Sequence, residues 1–177
     1  RVNTGMHTAS LWEVDVDAGN RYMVTGSNDK TVHVWDLKNY RLMRVLRPPI
    51  GNGKEGRISA LAISPCGLTV ACGGRTGYSW EGSFSVYLFE RKTGRLFKRI
   101  AGVPGPINHI VYSRDNHYLA VGYQNGLRVY RLPSYDVLGR DENYKAKCSS
   151  ADFSTGNELA TASYDGVLLL YGLCSNG

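Results

Sequence analysis

Apolar and polar residues alternate along most of this chain in short runs separated by turn-forming residues, the period-two pattern of half-buried strands. The first run, Leu11 to Val16, carries Leu11, Val14 and Val16 as apolar positions before a turn at Ala18-Gly19-Asn20. Tyr22 to Ser27, Thr31 to Trp35 and Leu42 to Arg47 follow as three more strands. Pro48-Pro49 lacks backbone donors and stops the sheet. A second set comprises Ile58 to Ile63, Thr69 to Cys72, Phe84 to Phe89 and Leu96 to Ile100. Between its middle strands lies Gly73 to Ser83, longer than a hairpin needs. The third set has Ile107 to Ser113, Tyr118 to Tyr123 and Leu127 to Arg131, with a tight turn at Gln124-Asn125-Gly126. The fourth has Ser149 to Phe153, Leu159 to Ser163 and Val167 to Tyr171, turning at Tyr164-Asp165-Gly166. No stretch carries the period of a helix of three turns.

Phe89, Tyr130 and Tyr171 close the third strand of successive sets at equal intervals. Trp35 stands further from Phe89, because the loop at 73–83 and the link at 48–56 add residues. Such repetition predicts one all-β unit over residues 1–177, with repeats at about 7–47, 57–100, 106–140 and 146–174. The expected strand count is four, four, four and three.

The block Thr25-Gly26-Ser27-Asn28-Asp29-Lys30-Thr31-Val32-His33-Val34-Trp35-Asp36 is strand, turn and strand, closed by Trp-Asp and preceded by His7. Here the chain resembles the WD-repeat family of β-propellers, whose repeats of about 40–45 residues each form a four-stranded blade. Phe89-Glu90 and Tyr130-Arg131 take the Trp-Asp place later on, and Ser64-Pro65-Cys66-Gly67 stands where the family has Ser-Pro-Asp-Gly. The resemblance implies an all-β fold of four blades of antiparallel four-stranded sheets. It also implies that His7, Thr25, Asp29 and Trp35 form a structural tetrad, and that the protein is a non-enzymatic platform for protein–protein interaction. Gly5-Met6-His7 and the hairpin from Phe84 to Gly94 resemble WD-repeat segments of large bacterial proteins, some joined to a caspase-like peptidase. No residue here matches that peptidase's His and Cys, so no activity is carried over.

Blades of this family are wedges shaped for larger rings, and small inner residues such as Ala60 and Ala62 do not suit the tighter packing of four. The expectation is therefore an incomplete, open propeller, with the inner faces of its first and fourth blades exposed as sticky surfaces. Arg1 to Thr4 would supply the missing outer strand of the fourth blade in a closed ring. Arg1 in place of Met further suggests a fragment of a larger WD-repeat protein, whose remaining propeller blades are then partners.

Composition narrows the partners more than the fold. With 42% hydrophobic and 20% charged residues among 177, the chain reads as soluble and globular. No apolar run reaches the ~18 residues of a membrane span, so no membrane partner is expected. No targeting segment is visible, which leaves the compartment open. Lys and Arg number 21 against 15 Asp and Glu, a net charge of +6 that favours anionic partners. Lys38, Arg41, Arg44 and Arg47 surround the first outer strand, and Arg91, Lys92, Arg95, Lys98 and Arg99 the second. These form either a basic rim for phosphates and acidic protein or charged edges that deter aggregation. Nucleic acid is the weaker reading, because aromatics for base stacking are not interleaved there.

Candidate chemistry adds little. His7, Thr25 and Asp29 have the residue types of a hydrolase, but a triad is recognised by geometry, and Thr161 with Asp165 repeats part of the set. His33, His109 and His117 stand apart, without a carboxylate or cysteine at metal-ligand spacing. Cys66, Cys72, Cys148 and Cys174 form neither a CxxC pair nor a disulfide framework. The glycines at 73, 74, 102 and 105 precede no helix that could cap a phosphate. No catalytic residue, metal or cofactor is expected. The remaining candidates are Tyr78 and Trp80 in the long loop: they either anchor a protein partner or adjoining domain, or fold back onto the blade.

Overall fold

A computed structural model describes residues 7–172. The alternating runs become four antiparallel sheets, each a simple meander in chain order. The first holds β1 (Leu11–Val16), β2 (Tyr22–Ser27), β3 (Val32–Asp36) and β4 (Arg41–Leu46). The second holds β5 (Arg57–Ile63), β6 (Thr69–Arg75), β7 (Phe84–Glu90) and β8 (Leu96–Val103), with the one-turn helix α1 (Tyr78–Glu81) between β6 and β7. In the third are β9 (Ile107–Tyr112), β10 (Tyr118–Tyr123), β11 (Gly126–Arg131) and β12 (Asp136–Asp141). The fourth has β13 (Cys148–Phe153), β14 (Glu158–Ser163) and β15 (Leu168–Gly172). Arg1 to Thr4, expected to complete the fourth sheet in a closed ring, lie outside the described residues, as does Cys174.

The insertion in the second sheet is shorter than its sequence suggested. Pairing of Arg57 with Arg75 carries β6 past Cys72, and Tyr78–Glu81 coil into a turn of helix between Gly77 and Gly82, both at positive φ. Neither glycine carries a Cβ that would oppose that left-handed backbone.

The sheets stack in sequence: β1 and β2 lie on β5, β5 and β6 on β9, and β9 and β10 on β13. Each junction buries its own apolar cluster. Val24, Val34 and Leu46 meet Ile58, Leu61 and Phe89 at the first; Ala60, Leu88 and Val103 meet Ile107, Ile110 and Leu119 at the second. Ala120 and Leu127 meet Cys148, Phe153 and Leu159 at the third. One glycine sets how closely the inner edges approach. Gly26, Gly73 and Gly122 hold the same place in β2, β6 and β10, and a Cβ there would fall 2.7 Å from Ile58 Cγ2, Ile107 Cδ1 and Cys148 Sγ respectively. Ala162 holds that place in β14, whose outward face meets no further sheet among the described residues.

Register identifies the two end faces. Val14, Thr25 and His33 lie side by side, as do Val16, Met23 and Trp35, on the side of the first sheet turned away from the second. Asp152, Ala160 and Leu170, with Ser150, Ala162 and Leu168, form the free side of the fourth. Val14 is 56% exposed and Leu170 74%. The architecture is an open propeller arc.

Candidate interaction surfaces and polar networks

In the first sheet, Asp29 sits in the β2–β3 turn and His7 arrives from the segment before β1. His7 Nδ1 lies 2.8 Å from Asp29 Oδ2, and His7 Nε2 lies 2.9 Å from Thr25 Oγ1. Trp35 Nε1 donates to the same Thr25 oxygen at 2.9 Å. Since a carboxylate only accepts, the donors run one way: indole N–H to Thr25, the Thr25 hydroxyl to His7, and His7 to Asp29. Asp29 also accepts from the Thr8 amide and from both the amide and the hydroxyl of Thr31. Burial works to raise the Asp29 pKa, but these donors outweigh it and hold the carboxyl below its usual range. The sequence of hydroxyl, imidazole and carboxylate is that of a nucleophilic triad. Thr25 is 7% exposed, however, and its oxygen is already bound by Trp35, which leaves no place for a substrate carbonyl.

His33 does not stand apart as its spacing suggested. Its ring stacks on His7 with centroids 3.6 Å apart, and ligand atoms of His7, Asp29 and His33 lie within 4.8 Å of one another. Pairing of Thr25 with His33 across β2 and β3 brings the imidazole to the network, a proximity that linear spacing does not show. Both His7 nitrogens and both Asp29 oxygens are engaged by protein donors and acceptors, so a cation there would have to break the network. Burial, with a smaller contribution from the neighbouring His7, lowers the His33 pKa, and its Nδ1 is buried without a partner among the described residues.

The fourth sheet builds a different network at the same place. Tyr144, in the link before β13, hydrogen-bonds Thr161 Oγ1 at 2.5 Å and the Tyr171 hydroxyl at 2.9 Å. Tyr171 then donates to Asp141 Oδ2 at 2.8 Å, across to the outer strand of the third sheet. Burial and this carboxylate push the Tyr171 pKa well up. Asp165, by contrast, reaches only the Val167 amide among the described residues, at 3.4 Å. Sequence reasoning missed Tyr144 and Asp141. The offset from Tyr144 to Thr161 resembles that from His7 to Thr25, but a phenol in place of an imidazole breaks the motif.

Two other histidines also find carboxylates. His109 Nδ1 lies 3.7 Å from Glu13, linking β9 to β1, and its Nε2 lies 2.9 Å from the Ala151 carbonyl. Ser113, Asp115 and His117 cluster in the β9–β10 turn, where Asp115 holds both of the others and Asn157. Although burial opposes it, those donors bring the Asp115 pKa down to about 2. A triad needs the imidazole between hydroxyl and carboxylate, and here the carboxylate is central.

Three basic residues in and beside the outer strands, Arg44, Arg91 and Lys98, reach a neighbouring sheet, while Arg99 pairs within its own. Arg44 donates to the Lys92 carbonyl at 2.9 Å, and Arg91 lies 3.6 Å from the Tyr22 ring centroid. Lys98 reaches the Ser134 carbonyl at 2.6 Å, and Arg99 pairs with Glu81. In the loop, Tyr78 stacks on Phe84 with centroids 5.1 Å apart, while Trp80 on the same turn of helix is 53% exposed. Tyr78 thus touches the blade through Phe84 and is nonetheless 54% exposed, as open as Trp80.

Comparison with known families places the first sheet. Residues 3–36 match the WD domain, G-beta repeat. The all-β fold is accordingly that of a WD-repeat propeller that does not close. The chain is 24% identical to eukaryotic translation initiation factor 3 subunit I of Saccharomyces cerevisiae over 148 residues, which is 77% of this chain and 40% of that protein. It is 27% identical to the small ribosomal subunit protein RACK1y of Oryza sativa over 158 residues, 84% of this chain and 43% of that one. Autophagy-related protein 16 of Arabidopsis thaliana is 26% identical over 178 residues, covering 94% of this chain and 32% of its own length. The chain thus spans less than half the length of these relatives. All three are eukaryotic, and the expected likeness to bacterial peptidase-linked segments has no counterpart among them.

Proposed function

We propose that this chain is a non-enzymatic protein-interaction platform, a run of blades within a larger WD-repeat assembly whose two end faces receive further blades. One observation carries the reading: among the described residues, the arc ends in two uncovered sheet faces of complementary kind. At every internal junction, the face bearing the second-strand glycine packs against the Trp-position face of the next sheet. The fourth sheet leaves its glycine-side face free, with Leu168 67% exposed, and the first leaves its Trp-position face free. Such faces join head to tail, a heterologous contact that closes into a ring or extends as a chain. The lengths of the relatives, each more than twice the matched segment, and names that place two of them in translation complexes support the reading. The hydrogen-bonded set His7, Thr25, Asp29 and Trp35 has a structural role in it, fixing the turn and inner edge of the first blade. Trp80 is the loop anchor we assign to an outside protein partner; Trp80→Ala should weaken that partner's binding while leaving the fold intact.

A photoreactive side chain at position 170 of the purified chain tests the end faces. The product expected is a crosslink to the first sheet of another copy, near Val14 or Met23. Crosslinks confined to surface loops would contradict the proposal.

A further inference from the structure

We propose that the end of the propeller axis formed by the N-terminal ends of the inner strands is a binding site for a terminal phosphate group. The proposal does not rest on the end-face reading above. It begins with a repeated irregularity. Every inner strand carries a β-bulge near its start: the register skips Trp12 in β1, Ser59 in β5, Asn108 in β9 and Ser149 in β13. A bulge adds a residue that the ladder does not pair, and re-aims its side chain. All four bulge residues line one cavity of about 430 Å³ at the axis. Four sheets thus converge an indole, two hydroxyls and an amide on a single concave space.

The charges around that space are one-sided. Lys54, Arg57, Arg75 and Lys147 line it against one carboxylate, Glu13, which is turned to His109. Lys54, Arg57 and Arg75 make no side-chain hydrogen bond or ion pair among the described residues, and Lys147 lies 4.6 Å from the Tyr164 ring. Outer-strand cations such as Arg44 and Arg99 are held by carbonyls or carboxylates of the fold, whereas four cations without such a partner share the lining of this one cavity. In the lining, the Asn108 side-chain Nδ2 is buried with no acceptor among the described residues. An amide donor without a partner, ringed by free cations, matches an oxyanion. The opposite end of the axis has the other polarity: Asp15 and Asp152 line a cavity there with Arg114 as its cation. A charged ligand therefore experiences a field directed along the axis and is drawn to the basic end.

Shape selects the class of anion. The cations surround a pocket rather than tracking along a groove, and one aromatic is present instead of a row, so a terminal phosphate fits better than a nucleic-acid strand. The phosphate can be borne by a phosphorylated protein segment or by a free small molecule.

The test is calorimetric titration of the 177-residue chain at low salt with three probes: pyrophosphate, a phosphoserine peptide beside its unphosphorylated twin, and a single-stranded oligonucleotide. Pyrophosphate and the phosphopeptide should bind and the unphosphorylated twin should not; the tighter of the two identifies the source. Arg57→Gln and Arg75→Gln should each weaken binding about tenfold, because each removes a charge-assisted hydrogen bond, with an unchanged circular dichroism spectrum. Asn108→Asp, which places a carboxylate in the cavity, should weaken it further still. Absence of binding by both phosphate probes, affinities unaltered in folded variants, or preference for the oligonucleotide would each overturn the proposal.

Discussion

The first and fourth sheets solve one packing problem with different chemistry. Both must pin the segment that leads into an inner strand to a threonine of the second strand. The first does so with His7 on Thr25, backed by Asp29 from its own β2–β3 turn and capped by Trp35. The fourth uses Tyr144 on Thr161, with Tyr171 at the Trp35 place and a carboxylate, Asp141, borrowed from the neighbouring sheet. The first network is closed within its blade and belongs to the free end face. The fourth is laced across a junction and depends on the third sheet. A self-contained network lets an end blade keep its shape uncovered, whereas a shared one couples two blades into one cooperative unit.

Substitutions that separate the two solutions should differ most at the turn aspartates. Asp29 is the acceptor for four donors around a buried imidazole, so Asp29→Ala should cost about 1–3 kcal/mol by leaving donors unpaired. Asp165→Ala loses one long contact and should stay within about 0.5 kcal/mol in the same denaturant titration. Equal losses would show that the two aspartates do the same job and remove the contrast.

Next in size are the blade edges. A Cβ at Gly122 would lie 2.7 Å from Cys148 Sγ and 3.0 Å from its Cβ, so Gly122→Ala should destabilise by about 1–3 kcal/mol through overpacking. At the corresponding place in the free face, Ala162→Gly should cost about 0.5–1 kcal/mol, from backbone entropy alone. A neutral Gly122→Ala would mean that the third junction is looser than described.

Tyr171→Phe removes the link between Asp141 and Tyr144, at a cost of about 1 kcal/mol. The sharper readout is cooperativity: hydrogen exchange of β13–β15 should uncouple from that of β9–β12 in this variant. No change in the relative protection of the two sheets would argue against the shared network.

The smallest effect is in pH. The folded state holds His33 below its ordinary value of 6.5, so neutral His33 contributes stability that is fully present above 6.5. That contribution is lost as pH falls from 6.5 towards the lowered folded value. His33→Gln should flatten this part of a stability–pH curve; an undiminished slope in the variant would assign it elsewhere.

How much of this could be read from the chain depended on distance along it. Alternation and the equal spacing of Phe89, Tyr130 and Tyr171 are local or periodic signals, and they predict the sheets and their order, whereas the open arc was implied by the family resemblance. The Thr25–Asp36 block pointed to the hydrogen-bonded set because its residues recur in a fixed pattern. Asp141 could not be found that way, since it comes from another sheet's outer strand. The axial cavity was equally hidden. Lys54, Arg57, Arg75 and Lys147 look unrelated in the sequence, and only four bulges in register bring their surroundings together. Within the conspicuous basic runs on the outer strands, Arg44, Arg91 and Lys98 fasten neighbouring sheets, contacts that the linear sequence does not show.

The central claim, an arc of blades with two faces awaiting partners, is tested most directly by size-exclusion chromatography with light scattering over a wide range of concentrations. The uncovered apolar faces predict assembly that grows with concentration, and Leu168→Lys combined with Leu170→Lys should return the chain to a folded monomer. A compact wild-type monomer, stable at every concentration, would contradict it.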